Sequence, residues 1–161
     1  MFRTLQVVSM VLVAVAMAQA LAHALELPGK MRLGKDTYLA VQQIYYPGFS
    51  IGGTAEPVAI IALIALLVMT PYGDSRFWWT LAAFLPLLVM HLIYWVLIHP
   101  VNNFWIKDVK LAGLGSAFFS LFANDPGADW SKARDVWEYS HLMRAVIAML
   151  SLISLAIAIT H

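Results

Sequence analysis

The sequence predicts an all-α fold, an up-down bundle of four transmembrane helices with its two longer loops on one membrane face. Three observations predict it. Of 161 residues, 61% are hydrophobic and 12% charged, about half the charged share of a soluble domain. Four long stretches are nearly free of charge, and proline or glycine bounds each of them. Crossing ~30 Å of hydrocarbon at ~1.5 Å per residue takes about 20 apolar residues, and each stretch is that long. The length suits one integral membrane domain over residues 1–161.

The first helix is expected over 4–27, from an uncharged run of Thr4 to Leu25 that stops at Pro28-Gly29. A cleaved signal peptide is the rival, because Arg3 precedes the run and Ala18-Gln19-Ala20 lies within it. The run exceeds the 7–15 residues of a signal core, which favours a retained helix. The second helix is expected over 51–70, after Pro47-Gly48, with Glu56 as its one charge. The third covers 77–98, between the tight turn Pro71 to Arg76 and Pro100. The fourth covers 140–160 and starts ahead of the bilayer if Asp129 or Ser131 caps it.

The loops are unequal. Pro28 to Ser50 carries Lys30, Arg32 and Lys35 and then Tyr45-Tyr46, while Pro100 to His141 is the longest connection. Its apolar, small-residue middle, Leu111 to Phe122, reads as an interfacial or re-entrant element. One side of the membrane holds Arg3 and Arg76. The other holds Lys30, Arg32, Lys35, Lys107, Lys110, Lys132 and Arg134, seven cations against two. The positive-inside rule then puts the long loops in the cytoplasm.

Other classes are excluded. Without cysteine there are no disulfides, iron–sulfur clusters or thiolate metal sites. A net charge of +1 offers no basic field for nucleic acid. Phosphate-binding glycine loops and internal repeats are missing too.

Helix parity gathers the polar residues at one end. His23 and Glu26 close the first helix, and Glu56 opens the second. His99, Asn102 and Asn103 close the third, and Glu138, His141 and Arg144 open the fourth. His91 lies about 12 Å deeper than His99, eight residues earlier on its helix. His23 and Glu26 are i, i+3, as are Glu138 and His141, so each pair shares a face. Lys30, one turn beyond Glu26, is an alternative partner for that carboxylate. Trp130, Arg134, Trp137, His141 and Arg144 follow at spacings of 4, 3, 4 and 3, a single helical stripe. It could line a pocket for a planar, partly anionic molecule, or serve as an interfacial Trp/Arg anchor belt. An anchor belt, however, needs no histidine.

His23-Ala-Leu-Glu26, Pro100-Val-Asn102 and the Trp130 to Arg144 stripe together resemble the small four-helix membrane proteins of the anthrone oxygenase-like family. The likeness covers the whole chain in topology, while Phe104 to Asp129 is longer than the family pattern. Most members are uncharacterised, and a few oxidise anthrones to anthraquinones. The resemblance implies that His141 is a general base acting on a lipophilic aromatic substrate, whose enolate then meets O₂. Arg144 and Asn102 would hold the enolate oxygen, and Glu138 or Glu26 would orient imidazoles. Trp137, with Trp130, Arg134 and His99, would contact the substrate.

No cofactor is required by that chemistry, but a single transition metal or a haem on two or three of His23, Glu26, His99 and His141 is an open alternative. So are a non-catalytic accessory subunit and, less well supported, a proton-coupled exporter, whose site would lie nearer the midplane. Expected partners are the lipid bilayer, a small lipophilic molecule and, as a further option, a second copy of the chain.

Overall fold

The structure, a computed structural model, describes residues 1–106 and 130–161. It is all-α, with no strand among the described residues. Helix α1 runs Phe2–Lys30, α2 Lys35–Gln42, α3 Gly48–Gly52 and α4 Ala55–Met69. They are followed by α5 Ser75–Ile93, α6 His99–Ile106 and α7 Trp130–Thr160. A single 3₁₀ turn, Gln43–Tyr45, and a cis Tyr46–Pro47 bond connect α2 to α3. Four segments are long and apolar enough to cross a membrane: Phe2–Lys30, Gly48–Met69, Ser75–Asn102 and Trp130–Thr160. The element expected over Leu111 to Phe122, the lysines 107 and 110 and the Asp129 cap lie outside the described residues. Ser131 lies inside α7.

The fourth helix begins at Trp130, ten residues ahead of the expected 140, and a break after Gly52 splits the second span expected over 51–70. Two further differences concern proline. Pro28 does not stop α1. In the last turn a proline removes only one intrahelical bond, and the backbone continues to Met31, whose N–H bonds the Leu27 carbonyl at 3.0 Å. Three extra residues therefore carry Lys30 into the bundle. Pro100 does not stop the third span either. Residues Tyr94–Ile98 form a π turn that joins α5 to α6. Pro100 has no N–H for the Val96 carbonyl and its ring crowds that turn, so the helix widens rather than breaks. At the other end, Asp74 caps α5 by accepting the Arg76 N–H at 2.9 Å.

The four long helices form a ring in which α7 packs on α1 and α5, and α4 packs on the same two. Small residues make that approach possible: Ala16, Ala20, Ala59, Ala83 and Ala148 are all buried between helices. Val13, Leu63, Leu87, Met90 and Leu155 fill the space between them. Ser151 ties α7 to α5 by donating to the Ala83 carbonyl at 2.7 Å. Outward faces are apolar instead of polar, with Val11, Ile61, Val68 and Val146 all exposed, as a lipid solvent requires. Tyr72, Trp78 and Trp79 sit exposed at the short turn, where aromatic side chains favour the membrane–water boundary. A second buried cluster, Tyr38, Tyr45, Ile98, Val101, Ala133 and Trp137, closes the opposite end. That cluster frames the site.

Candidate functional site

At the long-loop end the four helices part around a cavity of about 580 Å³. Helix α1 supplies Gln19 and His23 to its wall, and the α2–α3 connection with the start of α3 folds Tyr45, Tyr46 and Phe49 across it. Helix α4 contributes Glu56, the α5–α6 segment contributes His91, Tyr94, Trp95 and Asn102, and α7 contributes Trp137, His141 and Arg144. The volume suits a small molecule of two or three rings, and the wall offers mainly apolar surface, much of it from Tyr, Trp and Phe rings, with polar groups converging on it.

The π turn matters here. By widening the helix between His91 and Asn102, it lets residues from successive turns reach one cavity, while His99 turns away from it. His99 is fully buried, against Trp95 with ring centroids 4.9 Å apart and Tyr94 at 5.8 Å. It is not a lining residue.

His141 and His23 face each other with ring centroids 4.3 Å apart. Nδ1 of His141 lies 2.9 Å from the Trp137 carbonyl. A carbonyl only accepts, so Nδ1 carries the proton and the lone pair belongs to Nε2. Trp137 is in turn fixed by its own indole N–H, which donates to Asn102 Oδ1 at 2.7 Å. Nδ1 of His23 is buried, has no hydrogen-bond partner, and stands 3.9 Å from Glu26.

A second polar centre crosses three helices. Arg144 donates to one oxygen of Glu56 in a tight ion pair. His91 Nδ1 lies 2.9 Å from the other oxygen, and His91 Nε2 accepts the Trp95 indole N–H at 2.9 Å. The indole can only donate, so His91 bears its proton on Nδ1 and gives it to Glu56. Both ring nitrogens of His91 are thereby engaged.

The third polar centre lies outside the cavity wall, behind Trp137. Lys30 Nζ sits between Glu26 at 3.0 Å and Glu138 at 3.4 Å. It also lies 4.7 Å from the centroid of Trp137 and 4.8 Å from that of Tyr45, within cation–π range. Tyr38 donates to Glu138 at 2.9 Å, and Tyr45 donates to Glu26. Burial pushes both phenol groups well above the ordinary tyrosine value, and the neighbouring carboxylates add to the shift.

The predicted site residues therefore divide. His23, Asn102, Trp137, His141 and Arg144 come together in the wall. Glu138 and Glu26 hold tyrosines and Lys30, and the group that orients His141 is a backbone carbonyl. Trp130 and Arg134 continue the α7 stripe beyond the cavity: the guanidinium stacks 5.2 Å from the Trp130 centroid and bonds Asp135. Among the described residues no three histidine or carboxylate side chains gather into a metal-holding group. Sequence reasoning gathered Glu56 at this end without giving it a role, paired Lys30 with Glu26 as the structure does, set His91 apart as deeper, and gave no place in the site to Trp95 or Tyr45. One signal was available: Glu56 and Arg144 are lone charges inside two apolar runs, and such charges seek each other.

No family model, curated protein or solved structure matches the chain.

Proposed function

We propose that the protein is a membrane enzyme that takes a small lipophilic aromatic molecule into this cavity and deprotonates it with His141, exposing the resulting anion to O₂. The observation that carries the reading is the His141–Trp137 contact. It commits Nδ1–H to a carbonyl and leaves Nε2 as a proton acceptor in an aromatic wall. A base held in that way is oriented without a carboxylate partner, and general-base help of this kind is worth about 10²–10⁴-fold in rate.

For an anthrone-like substrate, the methylene proton passes to His141 and the enolate electrons reduce O₂. The ring carbon gains a C–OOH group, which loses water to leave a ketone. One oxygen atom then resides in the quinone and the other in water, so no external reductant is needed. Asn102 uses its Oδ1 to hold Trp137, and its NH₂ is the donor it offers an enolate oxygen. Trp137 supplies ring surface, and the excess of lysine and arginine in the long loops favours a cytoplasmic side for them.

The test is anthrone-dependent O₂ uptake by the protein in lipid nanodiscs, wild type against His141→Ala, with thermal unfolding recorded for both. The expected result is uptake by the wild type and its loss in a variant that still folds. Equal uptake by the two would overturn the assignment of the base.

A further inference from the structure

Glu56 and Arg144 are the two formally charged side chains in the cavity wall. They are both buried and they neutralise one another. The carboxylate is also held from a second side, because His91 donates to its other oxygen and is itself fixed by Trp95. Glu56 therefore has two donors from two different helices, and a swing away from Arg144 would break both contacts.

We infer that Glu56 makes the cavity selective for neutral ligands, by occupying Arg144 so that an entering anion finds no unpaired cation in the wall. The inference rests on the reading of the cavity as an aromatic-ligand site and narrows the class of its occupant. An anion that bonds Arg144 must either displace Glu56 or share the guanidinium with it, and in both cases the carboxylate stays buried beside the newcomer. Two like charges in a low-dielectric wall repel strongly, and each has left water to be there. A phenol or ketone of the same shape meets no such obstacle. It keeps the ion pair intact and uses neutral contacts, the His141 Nε2 and the Asn102 amide among them. An isolated arginine in such a place would do the opposite and favour a carboxylate, through charge-assisted bonds.

The experiment compares two probes of one shape, 2-naphthol and 2-naphthoate, binding to the full chain in nanodiscs at pH 7. The naphthol is neutral there, since phenols ionise near pH 10. Equilibrium dialysis against empty nanodiscs removes the contribution of lipid partitioning. The ratio of the two affinities is read in wild type, in Glu56→Gln and in Glu56→Gln/Arg144→Met. The expected result is a wild-type preference for the naphthol of at least about tenfold, one step of 1.4 kcal/mol. That preference should shrink by a similar factor or invert in Glu56→Gln and return in the double variant, where no cation remains. Should Glu56→Gln fail to fold, Glu56→Ala, which also frees Arg144, takes its place in the comparison. A wild-type preference for the naphthoate, or a ratio that Glu56→Gln leaves unchanged, would overturn the charge rule while leaving the cavity an aromatic site. If wild type binds neither probe, the cavity reading itself falls, and the rule with it.

Discussion

The Trp137 indole on α7 donates its N–H to Oδ1 of Asn102 on α6, across 2.7 Å. This contact fixes the carbonyl-bearing turn from which His141 takes its orientation. It also ties the π-turn helix to α7 in the buried wall of the cavity. Interhelical hydrogen bonds inside membrane proteins average about 0.6 kcal/mol and reach about 1.7. A double-mutant cycle of Trp137→Phe and Asn102→Leu, read by denaturant unfolding in detergent, should give a coupling in that interval. Strictly additive losses would mean that the two residues do not interact.

The Glu56–Arg144 pair should behave as a buried ion pair. Removing one member strands the other, at about 3–5 kcal/mol, whereas replacing both by neutral groups of similar size costs little. Arg144→Met should accordingly destabilise the protein by several kcal/mol, and adding Glu56→Gln should recover more than half of the loss. A double variant as unstable as the sum of the single ones would contradict the pairing.

These two contacts mark what was legible in the sequence. Four apolar runs fixed the number of helices, and the spacing Trp137, His141, Arg144 put three lining residues on one face before any coordinates. Periodicity carried on too far, though, and included Trp130 and Arg134, because it cannot say where α7 leaves the cavity. Pro28 read as punctuation since its cost depends on how many turns follow it, and only the end of a helix tolerates it cheaply. Lys30 read as a loop cation within reach of Glu26, and it does pair with that carboxylate at 3.0 Å, yet nothing in the sequence showed that it is only 4% exposed. Its burial depends on Glu138, 108 positions away in the chain, and that is tertiary information. His91 needed the same kind of knowledge, since its partners Glu56 and Trp95 reach it from two sides.

Gly52 is where α3 touches α1. A Cβ placed on it would lie 1.9 Å from Gln19 Nε2 and 3.0 Å from Gln19 Cδ. Gln19 lines the cavity, so Gly52→Ala must push the amide aside. The atoms it meets are the far end of a flexible side chain, so the loss of stability should fall below the roughly 1–3 kcal/mol of core overpacking, while the displaced amide should weaken 2-naphthol binding. Adding Gln19→Ala should restore both stability and binding. A Gly52→Ala protein that binds as the wild type does would show that Gln19 relocates without touching the ligand.

Asp74 supplies a pH-dependent term at the short turn. Arg76 donates to it through its guanidinium and its backbone N–H, which lowers the carboxyl pKa to about 2. An unfolded aspartate titrates near 3.9. The folded form therefore gains stability above that value and loses it as the pH falls from about 4 through 2. The melting temperature of wild type should exceed that of Asp74→Ala at pH 6. The gap should narrow below pH 4 and close near pH 2. A gap that stays constant across this range would mean that the cap acts without its charge.

The orientation of the bundle can be settled with the chain's own chemistry. It contains no cysteine, so any thiol introduced is the only one. A Cβ added at Gly34, beside the long-loop end, or at Gly73, in the short turn, meets nothing within 4 Å. Gly34→Cys and Gly73→Cys should then fold normally and present their thiols at opposite ends of the bundle. The excess of lysine and arginine lies with Gly34, even though Lys30 is spent inside the protein. In intact cells a membrane-impermeant maleimide should label Gly73→Cys readily. Gly34→Cys should react only after the membrane is permeabilised. The reverse pattern would turn the molecule over, placing the cavity end of the bundle on the outside.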